Sequence, residues 1–261
     1  MKLFDAHNDI LTQREDYISY LKLFSVKNIY AILAIFLSEN KLSTKDILNL
    51  IEPIKKSHLF AFEDISNVSY KDLDIIKTIK PLYCSLTWNN KNILASGCFS
   101  KGGITKLGYK YIDKIESFSF VDTSHLNKRS FNDFSKYTKK PIFNSHTNLK
   151  KFCHLKRNLT KRQIKTIIKS NGLVCLTGVK EFLGKNSSLE SYIKSIYYFY
   201  KKYGANNLAL ASDFMGSAEF PLVYNDYSDF NILYEKLKLK GIPKDDIEKI
   251  FYLNLKTFFN I

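Results

Sequence analysis

The chain has no apolar run long enough to cross a membrane. Its longest, residues 30–37, is far shorter than the ~20 residues of a transmembrane helix and is typical of a buried strand. A secretory signal is also missing, because Asp5, His7 and Asp9 stand where such a signal would have an apolar stretch. We therefore expect a cytoplasmic protein with no membrane partner.

Cysteine and acidic residues are both scarce. None of the four cysteines forms a CxxC pair, and in a reducing compartment we expect all of them to be free thiols. The 25 Asp and Glu residues are outnumbered by 40 Lys and Arg, which gives a formal net charge of +15. Such a charge can indicate nucleic-acid binding. Because the lysines are spread along the whole chain, we expect no nucleic-acid partner.

Repeats, low-complexity tracts and long linkers are absent, and 261 residues suffice for one core. Short apolar segments alternate with longer amphipathic ones, which is typical of βα units around a parallel sheet. Eight such units predict an α/β fold, a closed (β/α)8 barrel spanning residues 1–261 as a single domain. The predicted strands are residues 2–7, 30–37, 58–63, 81–87, 119–124, 141–145, 172–177 and 207–212.

Helices are predicted between these strands. The clearest begin with the caps Thr44 and Thr160, and Gln163 completes a capping box in the second. An open doubly wound sheet is the competing fold, but no glycine-rich phosphate turn follows the first strand. Residues 180–188 are the predicted flexible loop. The predicted helices are residues 44–51, 105–118, 129–137, 160–168, 189–203, 227–240 and 244–259.

Histidine is rare as well, yet three of the five histidines lie at predicted strand ends near carboxylates. Alternate side chains of a strand face the same way, so His7 and Asp9 would offer nitrogen and oxygen to one cation. The ends of adjacent barrel strands lie close together. His125 and His146, at the ends of the fifth and sixth strands, could therefore hold a second cation. A lone strand-end histidine is more often structural, but a pair in matching positions favours metal binding.

Two further carboxylates lie at predicted strand ends. Glu63 follows an apolar run, where a buried carboxylate needs a partner, and two cations would give one to each oxygen. Asp213 follows the eighth strand and could accept a proton from a water bound at the site. The alternatives are a solvated loop acid for Glu63 and a helix N-cap for Asp213. His58, which begins its strand, and His154, in a Lys-rich loop, are not expected to be ligands.

These motifs together resemble the membrane dipeptidase (renal dipeptidase) family of zinc peptidases, and the likeness extends over nearly the whole chain. The segment 5–10, DAHNDI, is similar to the family's opening HND motif, and Phe62-Glu63 to its buried glutamate. His125 and His146 have the family's spacing of 146 − 125 = 21 residues. The segments 157–160, RNLT, and 211–216, ASDFMG, are similar to its RNL and SDFDG motifs.

The resemblance implies a barrel of the metal-dependent hydrolase type that hydrolyses short peptides, including those with a C-terminal D-residue. It implies that Arg157 binds the terminal carboxylate of a small peptide substrate, for which a guanidinium fork is suited. Asp213 would handle the proton and the substrate's amino end. A homodimer would be usual in the family. The implied cofactor is two Zn²⁺ ions held by five residues: His7 and Asp9 on one ion, His125 and His146 on the other, and Glu63 bridging both.

Two positions depart from the family's pattern. Trp88 stands where the family has a substrate-contacting histidine, and an indole can donate one hydrogen bond but cannot become a cation. Asn89 and Asn90 are candidate replacements. Met215 stands where the family has a second aspartate. The alternatives are therefore hydrolysis of another amide such as a lactam, hydrolysis of a phosphodiester, or a non-catalytic barrel that binds metal or a polyanion. The ligands also suit manganese, iron or cobalt.

Overall fold

The eight predicted strands form one closed parallel barrel. A computed structural model describes residues 1–13, 16–26, 28–38, 42–216 and 221–261. Each strand pairs with the next along the chain, and the eighth pairs with the first, which confirms the (β/α)8 barrel. The strands are β1 Leu3–Asn8, β2 Ile29–Phe36, β3 Leu59–Glu63, β4 Tyr83–Ser85, β5 Phe120–Asp122, β6 Phe143–Thr147, β7 Leu173–Thr177 and β8 Leu208–Ala211.

Helices connect the strands around the outside of the barrel. The predicted capping box is present, because Thr160 accepts a hydrogen bond from the Gln163 backbone while the Gln163 side chain accepts one from the Thr160 backbone. The helices are α1 Ile10–Gln13, α2 Tyr17–Val26, α3 Thr44–Ile51, α4 Leu73–Ile79, α5 Lys106–Glu116, α6 Lys128–Tyr137, α7 Lys161–Lys169, α8 Lys180–Leu183, α9 Leu189–Tyr203, α10 Asp229–Leu239, α11 Lys244–Glu248 and α12 Asn254–Phe259, with a 3₁₀ turn at Ile65–Asn67 and a π-helical turn at Lys249–Leu253.

Some of these helices differ from the sequence predictions. Helices α1, α2 and α4 were not predicted. The loop prediction for residues 180–188 is wrong at its start, where α8 forms and buries Phe182 and Leu183. Tertiary packing of these two side chains outweighs the polar, glycine-containing composition of the segment. Among the described residues, no helix combines the length and the apolar character that crossing a bilayer requires.

The lower, N-terminal end of the barrel is filled by apolar side chains. Phe143 packs against Tyr83, Phe258 and Phe259, with ring centroids 5.0, 5.4 and 5.1 Å away. Leu255 of α12 joins the same cluster, so the C-terminal helix closes this end. The polar residues that follow the strands are left at the opposite end, where barrel enzymes have their active sites.

Irregular pairing in two strands changes which side chains face the barrel interior. Between the pairs Asp5↔Ala31 and Asn8↔Leu33, β1 advances three residues while β2 advances two. The same offset occurs in β6 between Asn144 and Thr147. Such a bulge breaks the alternation of a strand and redirects its side chains. As a result two consecutive residues of β1, Ala6 and His7, both face the barrel interior. His146 lies within the corresponding bulge of β6.

We expect Leu255→Ala to lower the free energy of unfolding by about 2–5 kcal/mol, because it empties a buried position in the layer that closes the barrel. Leu239→Ala is the matched control: this leucine also lies on a helix but is 82% exposed, so its effect should stay within about 0.5 kcal/mol. Chemical denaturation measures both. Equal losses of unfolding free energy in the two variants would contradict the role of α12 in closing the barrel.

Candidate active site

Buried imidazole and carboxylate groups converge at the upper end of the barrel. Nε2 of His7 lies 3.1 Å from Oδ2 of Asp9 and 3.6 Å from Oε2 of Glu63. The other Glu63 oxygen, Oε1, contacts Nε2 of His125 and lies 3.8 Å from Nε2 of His146. The five residues are at most 5% exposed. The structure therefore brings the other four sequence-predicted ligands around the Glu63 carboxylate.

A hydroxyl group orients His7. Nδ1 of His7 lies 2.7 Å from the Tyr83 hydroxyl oxygen, and that hydroxyl is 2.9 Å from the Ala6 carbonyl. The carbonyl can only accept, so the Tyr83 proton points to it and the hydroxyl oxygen accepts from Nδ1–H of His7. This arrangement assigns the proton to Nδ1. Nε2 then points towards Asp9 and Glu63. Burial lowers the pKa of His7, but these two carboxylates hold it well above its usual value, so Nε2 binds a proton or, in its place, a cation.

The other two imidazoles are oriented in the same way. Nδ1 of His125 lies 3.0 Å from Oδ1 of Asn89. Nδ1 of His146 lies 2.8 Å from Oγ of Ser145, which itself donates to Asp122. With both Nδ1 atoms donating, the two Nε2 lone pairs face each other across 2.9 Å. Two lone pairs at this distance repel each other unless a cation or proton lies beside them. One such group is the Arg157 guanidinium, whose Nη2 lies 3.3 Å from Nε2 of His125; Nε2 of His146 is left for a further cation.

The buried Asp122 connects the strands that carry this histidine pair. It lies at the end of β5 and accepts hydrogen bonds from the backbone N–H and the hydroxyl of both Ser124 and Ser145, at 2.7–3.2 Å. Ser124 and Ser145 directly precede His125 and His146. Such partners of metal ligands hold the imidazole rings in position. Sequence reasoning missed this role, although Asp122 stands within the segment that led to His125.

A second buried carboxylate, Asp5, links β1 to the residues that follow β8, where the barrel closes. It accepts hydrogen bonds from the Ser212 backbone N–H at 2.7 Å, the Ser212 hydroxyl and the Tyr227 hydroxyl. The next residue, Asp213, donates its backbone N–H to the His7 carbonyl at 3.0 Å. Asp213 has a left-handed backbone, with φ of 56°, and is not the helix N-cap that was the alternative. Asp5 therefore places Asp213 beside the first strand.

The pKa shifts favour a site that binds cations. Burial and the Arg157 charge lower the pKa of His125 to about 4, and burial and the His7 charge hold the pKa of His146 well below its usual value. Burial would raise the pKa of Glu63, but its contacts with His125 and His7 hold it well below its usual value. Neutral imidazoles and an ionised carboxylate are the forms that bind a metal.

The donor set fits divalent cations. Potential ligand atoms within 4.8 Å of one another form three groups in the described part of the chain, and Glu63 belongs to two of them. Oδ1 of Asp9 and Oε1 of Glu63 are buried without a hydrogen-bond partner among the described residues, although a buried polar atom normally has one. Mixed nitrogen and oxygen donors suit zinc and similar metals. The groups are His7, Asp9 and Glu63; Glu63, His125 and His146; and His7, His146 and Asp213.

The third group was not expected from the sequence. His146 was paired with His125 alone, but its ring centroid also lies 4.0 Å from that of His7. Burial raises the pKa of Asp213 to about 7; the Asp9 and Glu63 charges add to this effect, while His7 and Arg157 oppose it. Asp213 is therefore able to exchange a proton near neutral pH. His58 and His154 belong to none of the three groups.

Asp9, Glu63, His125, His146 and Asp213 line a cleft at the upper end of the barrel. Arg157 lines the cleft and is 5% exposed. Its Nη1 donates to the Ser124 carbonyl, and its guanidinium lies 5.1 Å from the Phe182 ring centroid. Trp88 lines the cleft too, 6.2 Å from the His125 ring. Met215 is 37% exposed and is not a lining residue.

Glycine at position 216, which sequence reasoning did not single out individually, leaves room for two carboxylates. A Cβ atom there would lie 2.3 Å from Oδ1 of Asp213 and 3.0 Å from Oδ2 of Asp9. The first distance is shorter than carbon and oxygen atoms allow, so a larger residue would displace the Asp213 carboxylate. Gly216 thus lets the backbone approach the two carboxylates closely. Residues 217–220, which follow it, lie outside the described residues.

Comparison with known proteins identifies the family. The sequence profile for "Membrane dipeptidase (Peptidase family M19)" matches residues 42–259. The chain belongs to this family. The match confirms the resemblance drawn from the motifs. The matched range begins after His7 and Asp9. The prediction that these two residues bind metal therefore rests on their motif and on the geometry of the site.

Similar proteins are found in bacteria and fungi. An uncharacterised protein from the pqqA 5′ region of Klebsiella pneumoniae is 27% identical over 190 residues, which are 67% of this chain and 70% of that protein. The dipeptidase ataJ of Aspergillus terreus is 26% identical over 156 residues, 58% of this chain and 38% of that protein. The present chain therefore matches well under half of the fungal enzyme.

Solved structures share the fold across the whole chain. A metallo peptidase from Rhodobacter sphaeroides, solved with a phosphinate mimic of the dipeptide L-Ala-D-Ala, has a TM-score of 0.85 at 15% identity, covering 100% of this chain and 99% of its own. The dipeptidase AC of family M19 has a TM-score of 0.86 at 16% identity, covering 100% and 98%. At sequence identities this low, the structural similarity shows that these proteins share the barrel fold.

We expect Asp122→Asn to weaken cation binding about 10- to 100-fold, because an amide cannot accept from both serine hydroxyls and both backbone N–H groups that position the histidine pair. Asp113→Asn is the control, since this surface carboxylate accepts only from Tyr137 among the described residues. Zinc titration with a competing chelator measures the affinity, and circular dichroism checks the fold. Unchanged affinity in Asp122→Asn would remove its positioning role.

Proposed function

We propose that this protein is a zinc-dependent dipeptidase that hydrolyses the peptide bond of short peptides at a two-cation site. The observation that carries the proposal is the convergence of three imidazole Nε2 atoms and the Asp9 and Glu63 carboxylates in overlapping groups at the base of a cleft. Membership of the membrane dipeptidase family supports the same reaction class. Cytoplasmic location and a homodimer remain predictions.

The ligands divide naturally into two sets that share Glu63. His7 and Asp9 would hold one Zn²⁺, and His125 and His146 the other, while each Glu63 oxygen faces one set. Cations held there would supply an activated water molecule and polarise the carbonyl of the scissile peptide bond. They would also offset the cost of burying the Glu63 charge in the interior.

Three further residues would act on the substrate. Arg157 is positioned to bind the peptide's terminal carboxylate, since its guanidinium is charged at any relevant pH and lines the cleft. Asp213 would take a proton from the water and pass it to the leaving amine, which requires a pKa near the working pH. Trp88 would contact the substrate through its ring and its single N–H donor.

The substrate class is inferred from the family and from the related structures. The Rhodobacter sphaeroides relative was solved with a mimic of L-Ala-D-Ala. We infer that this protein likewise accepts a D-residue at the C-terminal position.

Hydrolysis of L,L and L,D dipeptides by metal-stripped protein, before and after zinc addition, tests the proposal. We expect cleavage only with zinc, and we expect Asp213→Asn to lower kcat by about 10²- to 10⁴-fold while zinc remains bound. Asp245→Asn, on the distant helix α11, is the control. No cleavage by zinc-loaded protein would reject the dipeptidase function in favour of another amide substrate or a non-catalytic barrel. Full activity of Asp213→Asn would reject its role in proton transfer.

The number of bound ions tests the ligand sets separately from activity. We expect the wild-type protein to bind two equivalents of zinc, and His125→Ala or His146→Ala to bind closer to one, because each removes a ligand of the same ion. His58→Ala is the control, since His58 lies outside the three ligand groups. Elemental analysis after dialysis gives the stoichiometry. Two equivalents in both variants would exclude these histidines from the site.

A further inference from the structure

The cleft has an apolar wall that the proposed chemistry does not use. Trp88 and Phe99 line the cleft from the segment that follows β4, and Val179 and Phe182 line it from the segment that follows β7. Phe99 is 48% exposed. A large apolar side chain that is exposed within a ligand cleft, and not on the outer surface, indicates contact with an apolar ligand group.

Contacts with β2 and within the segment hold the segment that carries Trp88 and Phe99 in place. Trp88 packs against Phe36 at the end of β2, with ring centroids 5.2 Å apart. The backbone N–H of Phe99 donates to the Asn89 carbonyl at 2.8 Å, which holds Phe99 close to the residue that follows Trp88. A Cβ at Gly97 would lie only 2.0 Å from the Trp88 carbonyl oxygen, so the backbone is closely packed there.

Side-chain hydrogen bonds fix the base of this segment. The Asn92 amide nitrogen donates to Oδ1 of Asp64 at 2.8 Å and to the Leu86 carbonyl at 2.9 Å. The Asn92 carbonyl oxygen accepts from the backbone of Leu94 and Ala95. The aromatic surface is therefore formed before a ligand arrives, which reduces the entropy lost on binding.

The distribution of charge separates Trp88 and Phe99 from the other residues that line the cleft. The described charged residues that line the cleft are Asp9, Glu63, Arg157, Glu181 and Asp213, and none of them comes from the segment after β4. A charged substrate side chain placed against Trp88 and Phe99 would lose hydration without gaining a partner. This side of the cleft therefore favours apolar side chains of a substrate and disfavours charged ones.

We propose that Trp88 and Phe99 form a subsite for a large apolar side chain, so that the preferred substrates are dipeptides with an aromatic or large aliphatic residue. This inference rests on the proposed dipeptidase function. Aromatic contacts and apolar pockets typically change specificity by about tenfold per well-filled subsite. A single methyl group, as in alanine, leaves most of the aromatic surface uncovered.

The test compares kcat/KM of the zinc-loaded protein for Ala-Ala, Phe-Ala, Ala-Phe, Lys-Ala and Ala-Lys. We expect one of the two Phe peptides to exceed Ala-Ala by about tenfold, and the corresponding Lys peptide not to exceed it. Phe99→Ala should lower the Phe-to-Ala ratio by about threefold or more, chiefly through KM. Ile93→Ala, on the same segment, 59% exposed and not a lining residue, should leave the ratio unchanged.

Equal kcat/KM for the Phe and Ala peptides, or an unchanged ratio in Phe99→Ala, would overturn the subsite while leaving the dipeptidase function intact. Failure of the dipeptidase function gives a different result, namely no zinc-dependent hydrolysis of any peptide. Calorimetric binding of the same peptides to zinc-loaded protein then decides the subsite. Tighter binding of a Phe peptide that Phe99→Ala abolishes would support it, and equal binding of Phe and Ala peptides would overturn it.

Discussion

The buried Glu63 carboxylate is the group around which the rest of the site is arranged. Its two oxygens face two sets of nitrogen and oxygen donors, and Oε1 has no hydrogen-bond donor among the described residues. An ionised carboxylate in such a place is stable only if positive charge lies beside it. Burial keeps His125 and His146 neutral, so that charge does not come from them. His7 is the histidine that carries charge beside Glu63, because, although burial lowers its pKa, its carboxylate neighbours hold that pKa well above the usual value. Divalent cations bound here would neutralise Glu63 and separate the facing imidazole nitrogens.

The barrel achieves this arrangement through a few buried polar contacts. Asp122 joins the ends of β5 and β6, and Asp5 joins β1 to the residues after β8. Tyr83 directs the proton of His7 to Nδ1. These contacts are made on the side of each ligand away from the cleft, so the ligand atoms are oriented before any ion binds. The apolar layer at the other end of the barrel provides the rigid base.

Much of this could be predicted from the sequence, and the remainder has identifiable physical causes. The alternation of apolar and amphipathic segments predicted the eight strands, and strand ends predicted where Glu63, His125 and His146 would meet. Bulges depend on how two strands pair, and the pattern of one strand does not contain that information. His7 was predicted as a ligand, but the bulge that directs it inward after Ala6 and its approach to His146 were therefore not predictable. Asp122 was missed because an aspartate after a short strand usually faces solvent, and its serine partners become apparent only in the fold.

A crystal structure of the zinc-loaded protein, with anomalous diffraction recorded on both sides of the zinc absorption edge, tests the central claim most directly. The account predicts two zinc peaks at the upper end of the barrel, one beside His7 and Asp9 and the other beside His125 and His146, with Glu63 between them. A single peak that Glu63 does not contact, or zinc bound only elsewhere on the chain, would contradict it.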